Sequence, residues 1–156
     1  MQIQSMALGQ LTGHEAGLCL LREMYEEKTG SAMPEIRRTD RGKPYFLDSP
    51  VHFSISHTPK RVFCVLSDRP VGIDAEETDR QVNLALADKI LSEPEKERFA
   101  QAEDKRQALL KLWVLKEAQV KCSGEGLRGY PNQTDFSPED SRAQEIDGCF
   151  VAVIEE

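Results

Sequence analysis

Trp113-Val114-Leu115-Lys116-Glu117-Ala118-Gln119-Val120-Lys121 is the stretch whose reading decides the rest of the chain. Its spacing predicts the late part of a long helix, from about Asp104 to Cys122. Leu109, Leu112, Trp113 and Val120 recur at helical intervals, and Gly124 stands where a helix C-terminal glycine is expected. One turn beyond Trp113, Glu117 carries its carboxylate over the indole at the border of the apolar stripe. A carboxylate placed there reaches water, pairs with a cation or binds a metal. Lys121, a further turn on, is the obvious cation. Taken alone, an ordinary Glu-to-Lys helix pair worth about 0.2–0.5 kcal/mol is the plainer account.

A second stretch, Val71-Gly72-Ile73-Asp74-Ala75-Glu76, changes that balance. It follows the turn Ser67-Asp68-Arg69-Pro70 and reads as a short strand with Ile73 on one face and Asp74 and Glu76 on the other. Carboxylates at i and i+2 of a strand point the same way, and unpaired neighbours of like charge repel. A hard divalent cation removes the conflict, because Mg²⁺ takes oxygen ligands from carboxylates, waters and substrate phosphates. A solvated strand face explains the pair equally well.

Taken together, Gly72-Ile73-Asp74-Ala75-Glu76, Trp113-x-x-Lys116-Glu117-Ala118-x-x-Lys121 and Gly124-Glu125-Gly126-Leu127 resemble the 4′-phosphopantetheinyl transferases. The surfactin-synthetase type is the closer match. Two upstream motifs, Gly42-Lys43-Pro44 and Phe53-Ser54-Ile55-Ser56-His57-Thr58, occur in the family's order. The resemblance implies an α+β fold, a pseudo-dimer of two small lobes (about 1–70 and 71–156) with antiparallel strands packed on a long helix, in a single domain spanning 1–156. It implies transfer of the 4′-phosphopantetheine arm of coenzyme A to a serine of an apo acyl or peptidyl carrier protein, with release of 3′,5′-ADP.

The same resemblance implies that Asp74, Glu76 and Glu117 hold Mg²⁺; oxygen ligands alone do not decide between Mg²⁺ and Mn²⁺. It makes Glu117, Lys121 and His57 the catalytic group, with Glu117 taking the serine proton. Gly42, Lys43, Ser56, His57, Thr58 and Lys121 would contact coenzyme A. Larger members carry a longer segment before the first helix, with basic residues for the coenzyme's 3′-phosphate. Where the family has an arginine near that helix's start, Gly17 and Leu18 stand here, so the expected substitutes are His14 or the group Arg37, Arg38 and Arg41. A binding module of the same fold that has lost transfer is the alternative. An unrelated Mg²⁺-dependent phosphoesterase would leave the two upstream motifs unexplained.

Composition sets the limits around these motifs. A chain of 156 residues with 39% hydrophobic and 30% charged side chains can bury a core as one globular domain. A net charge of −7 argues against nucleic-acid binding, which wants a basic surface. The positive charge is concentrated instead at Arg37, Arg38, Arg41, Lys43, Lys60 and Arg61, around the upstream motifs. No apolar run approaches membrane-spanning length and no basic-then-apolar leader is present, so a cytoplasmic protein is expected; the pseudo-dimer that the resemblance implies is expected to work as a monomer. The cysteines at 19, 64, 122 and 149 lack metal-ligand spacing; Cys19, Cys64 and Cys149 read as small core residues.

Elsewhere the pattern predicts a helix from His14 to Lys28 closed by Gly30, and strands at Glu35–Arg38, His52–Ser56 and Arg61–Leu66. Val71–Glu76 is expected to complete an antiparallel meander with the last two. A helix over Val82–Leu91 follows, then one opened by Ser92 with Glu95 as its capping-box partner. Glu95–Lys105 reads as a solvated face, and Lys116 as solvent-facing or part of a carrier dock. Leu127–Ala143 reads as a surface loop, and Gly148–Ile154 as a closing strand.

Overall fold

A computed structural model describes residues 1–125 and 133–156. The first half contains β1 (Gln2–Ala7), α1 (Gly13–Thr29), the short strands β2 (Ile36–Arg38) and β3 (Pro44–Phe46), β4 (His52–His57) and β5 (Arg61–Ser67). The second contains β6 (Val71–Glu77), a single 3-10 turn at Leu84–Leu86, α2 (Ala87–Ile90), α3 (Glu93–Gln101), α4 (Lys105–Ser123), β7 (Ala143–Ile146) and β8 (Cys149–Glu155).

Local chemistry sets the helix ends. Thr12 caps α1 and Ser92 caps α3, each in a capping box closed by a glutamate three residues on, Glu15 and Glu95. Asp104 caps α4 by accepting from the Gln107 N–H, and Gly124 ends it at φ 71°, a left-handed conformation that glycine adopts without steric cost.

The strands form two three-stranded antiparallel sheets, β1-β5-β4 and β6-β8-β7, plus the hairpin β2-β3. In each sheet the strand that comes last in sequence, β5 or β8, lies in the middle. Alternation then sorts the side chains. Val62, Cys64 and Leu66 of β5 pack with Ala16, Leu20, Leu21 and Met24 of α1. Phe150, Ala152 and Ile154 of β8 pack with Leu112, Leu115 and Ala118 of α4. Phe63 and Val65 on the other face of β5 join Val71, Ile73, Ala75 and Val151 in a third cluster. The two sheets therefore share a core, with a helix on the outer face of each.

Several expectations are corrected here. β6 does not extend a β4-β5 meander; it pairs with β8, Val71 opposite Glu155. β4 still runs beside β6, but its contacts are side chain to backbone. Ser54 Oγ accepts from the Ile73 N–H at 3.1 Å and Ser56 Oγ from the Ala75 N–H at 3.2 Å. Both partners advance by two residues, so the strands run in the same direction. Val82–Leu91 is not one helix but a 3-10 turn followed by a four-residue helix. Cys19 is exposed rather than in the core, while Cys64, Cys122 and Cys149 are buried free thiols. A strand at Ala143–Ile146 was not expected. It turns into β8 through Asp147 and Gly148 at φ 52° and 76°, the two-residue hairpin turn that an Asp-Gly pair favours. Of the Gly124–Leu127 motif and the loop expected from Leu127, residues 126–132 lie outside the described residues.

The Glu95–Lys105 face is not wholly solvated, and Lys116 does not face solvent. Glu95 is 0% and Lys116 3% exposed, and they form an ion pair at 2.5 Å. The Glu95 carboxylate also accepts from the Ser92 and Phe136 N–H groups, each at 2.9 Å, and from the Thr134 hydroxyl at 2.8 Å. Burial pushes the Lys116 ammonium's pKa down, against the opposing pull of Glu95. This network joins α3, α4 and the segment at Thr134–Phe136 in the residues flanking Glu117.

Candidate functional site

The site begins with Gly72. A Cβ there would lie 2.0 Å from the Ala118 carbonyl oxygen and 2.4 Å from the Cys122 nitrogen, distances real side chains do not tolerate. Without one, the backbone of α4 lies directly on β6. That approach carries Glu117 and Lys121 to Asp74 and Glu76, which share the α4-facing side of β6 with Gly72. Lys121 Nζ donates to Asp74 Oδ1 at 2.7 Å and to the Ile73 carbonyl at 3.0 Å. Ser56 Oγ donates to the same Asp74 oxygen at 2.9 Å. Glu76 forms an ion pair with Arg80.

Glu117 is half-buried, and its carboxylate accepts no hydrogen bond from a described residue. Its pKa is raised, first by burial and then by the Asp74 charge, with Lys121 opposing and Glu76 adding to the rise. The charges of Asp74 and Glu76 therefore both reach Glu117. Among the described residues no three of them converge closely enough to hold a metal as they stand. Asp74 and Glu76 are turned to Lys121 and Arg80. As a donor set they still suit a hard divalent cation: all ligands are carboxylate oxygens, and Glu117 is held near two like charges without a hydrogen bond of its own.

Next to Lys121 opens a cavity of about 590 Å³ between the start of α1, the β2-β3 hairpin, β4 and the end of α4. Phe53, Ile55, Pro44, Ile36, Leu18 and Val120 supply its apolar wall. Its charged and titratable lining consists of His14, Arg38, Arg41, Lys43, His57 and Lys121, with no carboxylate among the described lining residues. A protein of net charge −7 thus presents a cationic cavity of the volume usual for small-molecule ligands. The six-residue basic concentration divides in two. Arg38, Arg41 and Lys43 line the cavity, whereas Arg37, Lys60 and Arg61 pair outside it with Glu35, Glu77 and Asp147.

The individual residues fall as follows. Gly42, at φ 89°, turns the hairpin at the cavity wall. Lys43 lines the wall while its ammonium donates to the Cys122 carbonyl, capping the end of α4, and burial pulls its pKa down. His57 is exposed at the cavity, its ring against Gly13, where a Cβ would lie 2.5 Å from it. Gly17 also has no room for a side chain: its Cβ would meet Ile55 at 3.0 Å. Ser56 and Thr58 do not line the cavity. Ser56 holds Asp74, and Thr58 Oγ1 accepts from the Lys60 and Arg61 N–H groups, each at 3.2 Å, to close the β4-β5 turn. Sequence reasoning missed Arg80 and Ser54. Ser54 had a signal: it alternates with Phe53 and Ile55 on the same face of the strand as Ser56.

A family model described as the 4′-phosphopantetheinyl transferase superfamily matches residues 70–151. The chain is similar to the 4′-phosphopantetheinyl transferase psf-1 of Bacillus pumilus, 32% identical over 133 residues that cover 81% of this chain and 57% of that protein. It is 33% identical to the 4′-phosphopantetheinyl transferase gsp of Aneurinibacillus migulanus over 96 residues, 58% of this chain and 38% of that one. It is 36% identical to the 4′-phosphopantetheinyl transferase Sfp of Bacillus subtilis over 89 residues, 55% and 39% respectively. The chain spans about half the length of the curated relatives it matches.

Proposed function

Because this chain belongs to the 4′-phosphopantetheinyl transferase superfamily, we propose that it transfers the phosphopantetheine arm of coenzyme A to a carrier-protein serine. The observation that carries this reading is the cationic cavity that ends on the Lys121–Asp74 pair, with Glu76 and Glu117 beside it. Coenzyme A is a polyanion with an apolar arm, and the lining of basic side chains and apolar wall complements both. Arg38, Arg41 and His14 supply charge for its phosphates at the α1 and hairpin end, Lys121 at the acid end. Gly42 and Lys43 form the wall on the adenine side, and His57 is within reach as a hydrogen-bond donor. Ser56 and Thr58 act behind the cavity, Ser56 by orienting Asp74.

Asp74, Glu76 and Glu117 would hold a Mg²⁺ ion, which supplies neutralisation of charge on the transferred and leaving groups. Glu117, directly or through a water, accepts the proton of the carrier serine hydroxyl. The serine oxygen bonds to the phosphorus bearing the pantetheine arm as the bond to 3′,5′-ADP breaks. Lys121 exchanges Asp74 for the phosphate oxygens. The like strand order of the two sheets supports a pseudo-dimer of lobes, which works as a monomer. Among the described residues no helix is long and apolar enough to cross a membrane.

The test is intact-mass spectrometry of apo-carrier proteins incubated with the protein, coenzyme A and Mg²⁺. A gain of one phosphopantetheine arm, lost in Glu117→Ala and on chelation, is expected. Coenzyme A binding with no gain on any carrier would replace transfer with the binding-module reading.

A further inference from the structure

Each strand acid of the site already holds a cation of the protein's own, and the two cations differ in where else they can go. Lys121, on Asp74, lines the cavity, so an anionic ligand there offers it a second partner. Arg80, on Glu76, does not line the cavity, and its side chain is already half exposed to solvent (49% against 17% for Glu76).

Its position is built into the fold. The Arg80 N–H donates to the Glu77 carbonyl at 3.0 Å, which closes the turn after β6. Arg106, at the start of α4, donates to the Thr78 carbonyl and, at 3.4 Å, to that of Arg80. Thr78 donates from its N–H and its hydroxyl to the Gly148 carbonyl in the β7-β8 turn, at 3.0 and 3.1 Å. The turn is thus tied to β6, α4 and the second hairpin, and it presents Arg80 to Glu76. The neighbouring Glu77 points to the other face of the strand and pairs with Lys60 at 2.6 Å, so it does not compete for Arg80.

Resting on the metal-dependent reading above, we propose that Arg80 is a resident competitor for the divalent cation, occupying Glu76 until the metal displaces it. Two consequences follow. In the metal-free protein Arg80 offsets the mutual repulsion of Asp74, Glu76 and Glu117, and so stabilises the empty site. On metal entry that pair is given up, which lowers affinity by roughly the worth of a partly exposed ion pair, about three- to fivefold.

The experiment is a Mn²⁺ titration of the intact protein followed by electron paramagnetic resonance of free Mn²⁺, paired with melting curves in chelator and in Mn²⁺. Wild type, Arg80→Gln, Arg80→Lys and Glu117→Gln are compared. Lys60→Gln removes an equal charge from the far face of β6 as a control. Arg80→Gln should tighten the Mn²⁺ Kd about three- to fivefold, with Arg80→Lys nearer wild type and Lys60→Gln unchanged. Metal-free Arg80→Gln should melt below wild type and gain more from Mn²⁺. Equal or weaker Mn²⁺ affinity in Arg80→Gln, with wild-type binding still abolished by Glu117→Gln, would overturn this inference and leave the metal site standing. Mn²⁺ binding by none of the proteins, or binding that Glu117→Gln does not weaken, would overturn the metal site and this inference with it.

Discussion

Gly72→Ala is the sharpest test of how the site is assembled. The added methyl would sit 2.0 Å from the Ala118 carbonyl oxygen, 2.4 Å from the Cys122 nitrogen and 3.0 Å from its Cα, where ordinary contact begins at 3.4 Å. All three are backbone atoms of a helix packed on Phe150, Ala152 and Ile154, so no rotamer change relieves the clash. Relief requires α4 to lift from β6 by more than an ångström, which loosens its core contacts and draws Lys121 off Asp74. Overpacking a core costs about 1–3 kcal/mol, and a clash with helix backbone belongs at the upper end, about 3 kcal/mol. Against a typical domain stability of about 5–15 kcal/mol, that is a large fraction. Urea unfolding followed by circular dichroism should show the midpoint falling by about 1–2 M. A Gly72→Ala protein within about 0.5 kcal/mol of wild type would refute the close-approach explanation for this glycine.

Two further predictions follow from the polar contacts. Glu95→Gln and Lys116→Met should each cost about 3–5 kcal/mol, because each removes one charge of a buried ion pair, and the double variant should cost clearly less than their sum; urea-derived costs that add within about 0.5 kcal/mol would show the pair uncoupled. The Glu155 carboxyl is held below the ordinary carboxylate range, chiefly by the Ser67 hydroxyl and then by Arg69, with burial opposing. Its folded pKa lies under its unfolded one, so its stabilisation is full above the unfolded value and is lost as pH falls through the folded one. The stability gap between wild type and Glu155→Gln should therefore shrink between about pH 6 and about pH 3, and a gap independent of pH would contradict the assignment.

Local signals carried much of the fold and part of the site. Asp104 and Gly124 bound α4 within a residue of expectation, because caps are chemistry between near neighbours. The Ser92–Glu95 capping box, the extent of α1 with its Gly30 stop and the β4-β5 hairpin were legible for the same reason. So was the pairing of Asp74 and Glu76 on one face of β6, which strand alternation dictates. The Asp147-Gly148 turn carried an equally local signal that went unused.

What the sequence by itself determined, then, is where elements start and stop, which residues share a face, and the family to which the motifs belong. Only the tertiary structure decided which faces meet. On the β6 edge that a meander would have filled with β5 carbonyls, the Ser54 and Ser56 hydroxyls accept instead, and the ladder partner of β6 is β8. Glu95 reaches both its own cap and Lys116, because the α3–α4 packing brings a helix N-terminus over a lysine that helical periodicity had left outside. Arg80 reaches Glu76 through a turn held by Arg106 and Gly148. Each of these depends on contacts between residues far apart in the chain, whose geometry follows from how the helices and sheets pack, and periodicity within one segment cannot encode it.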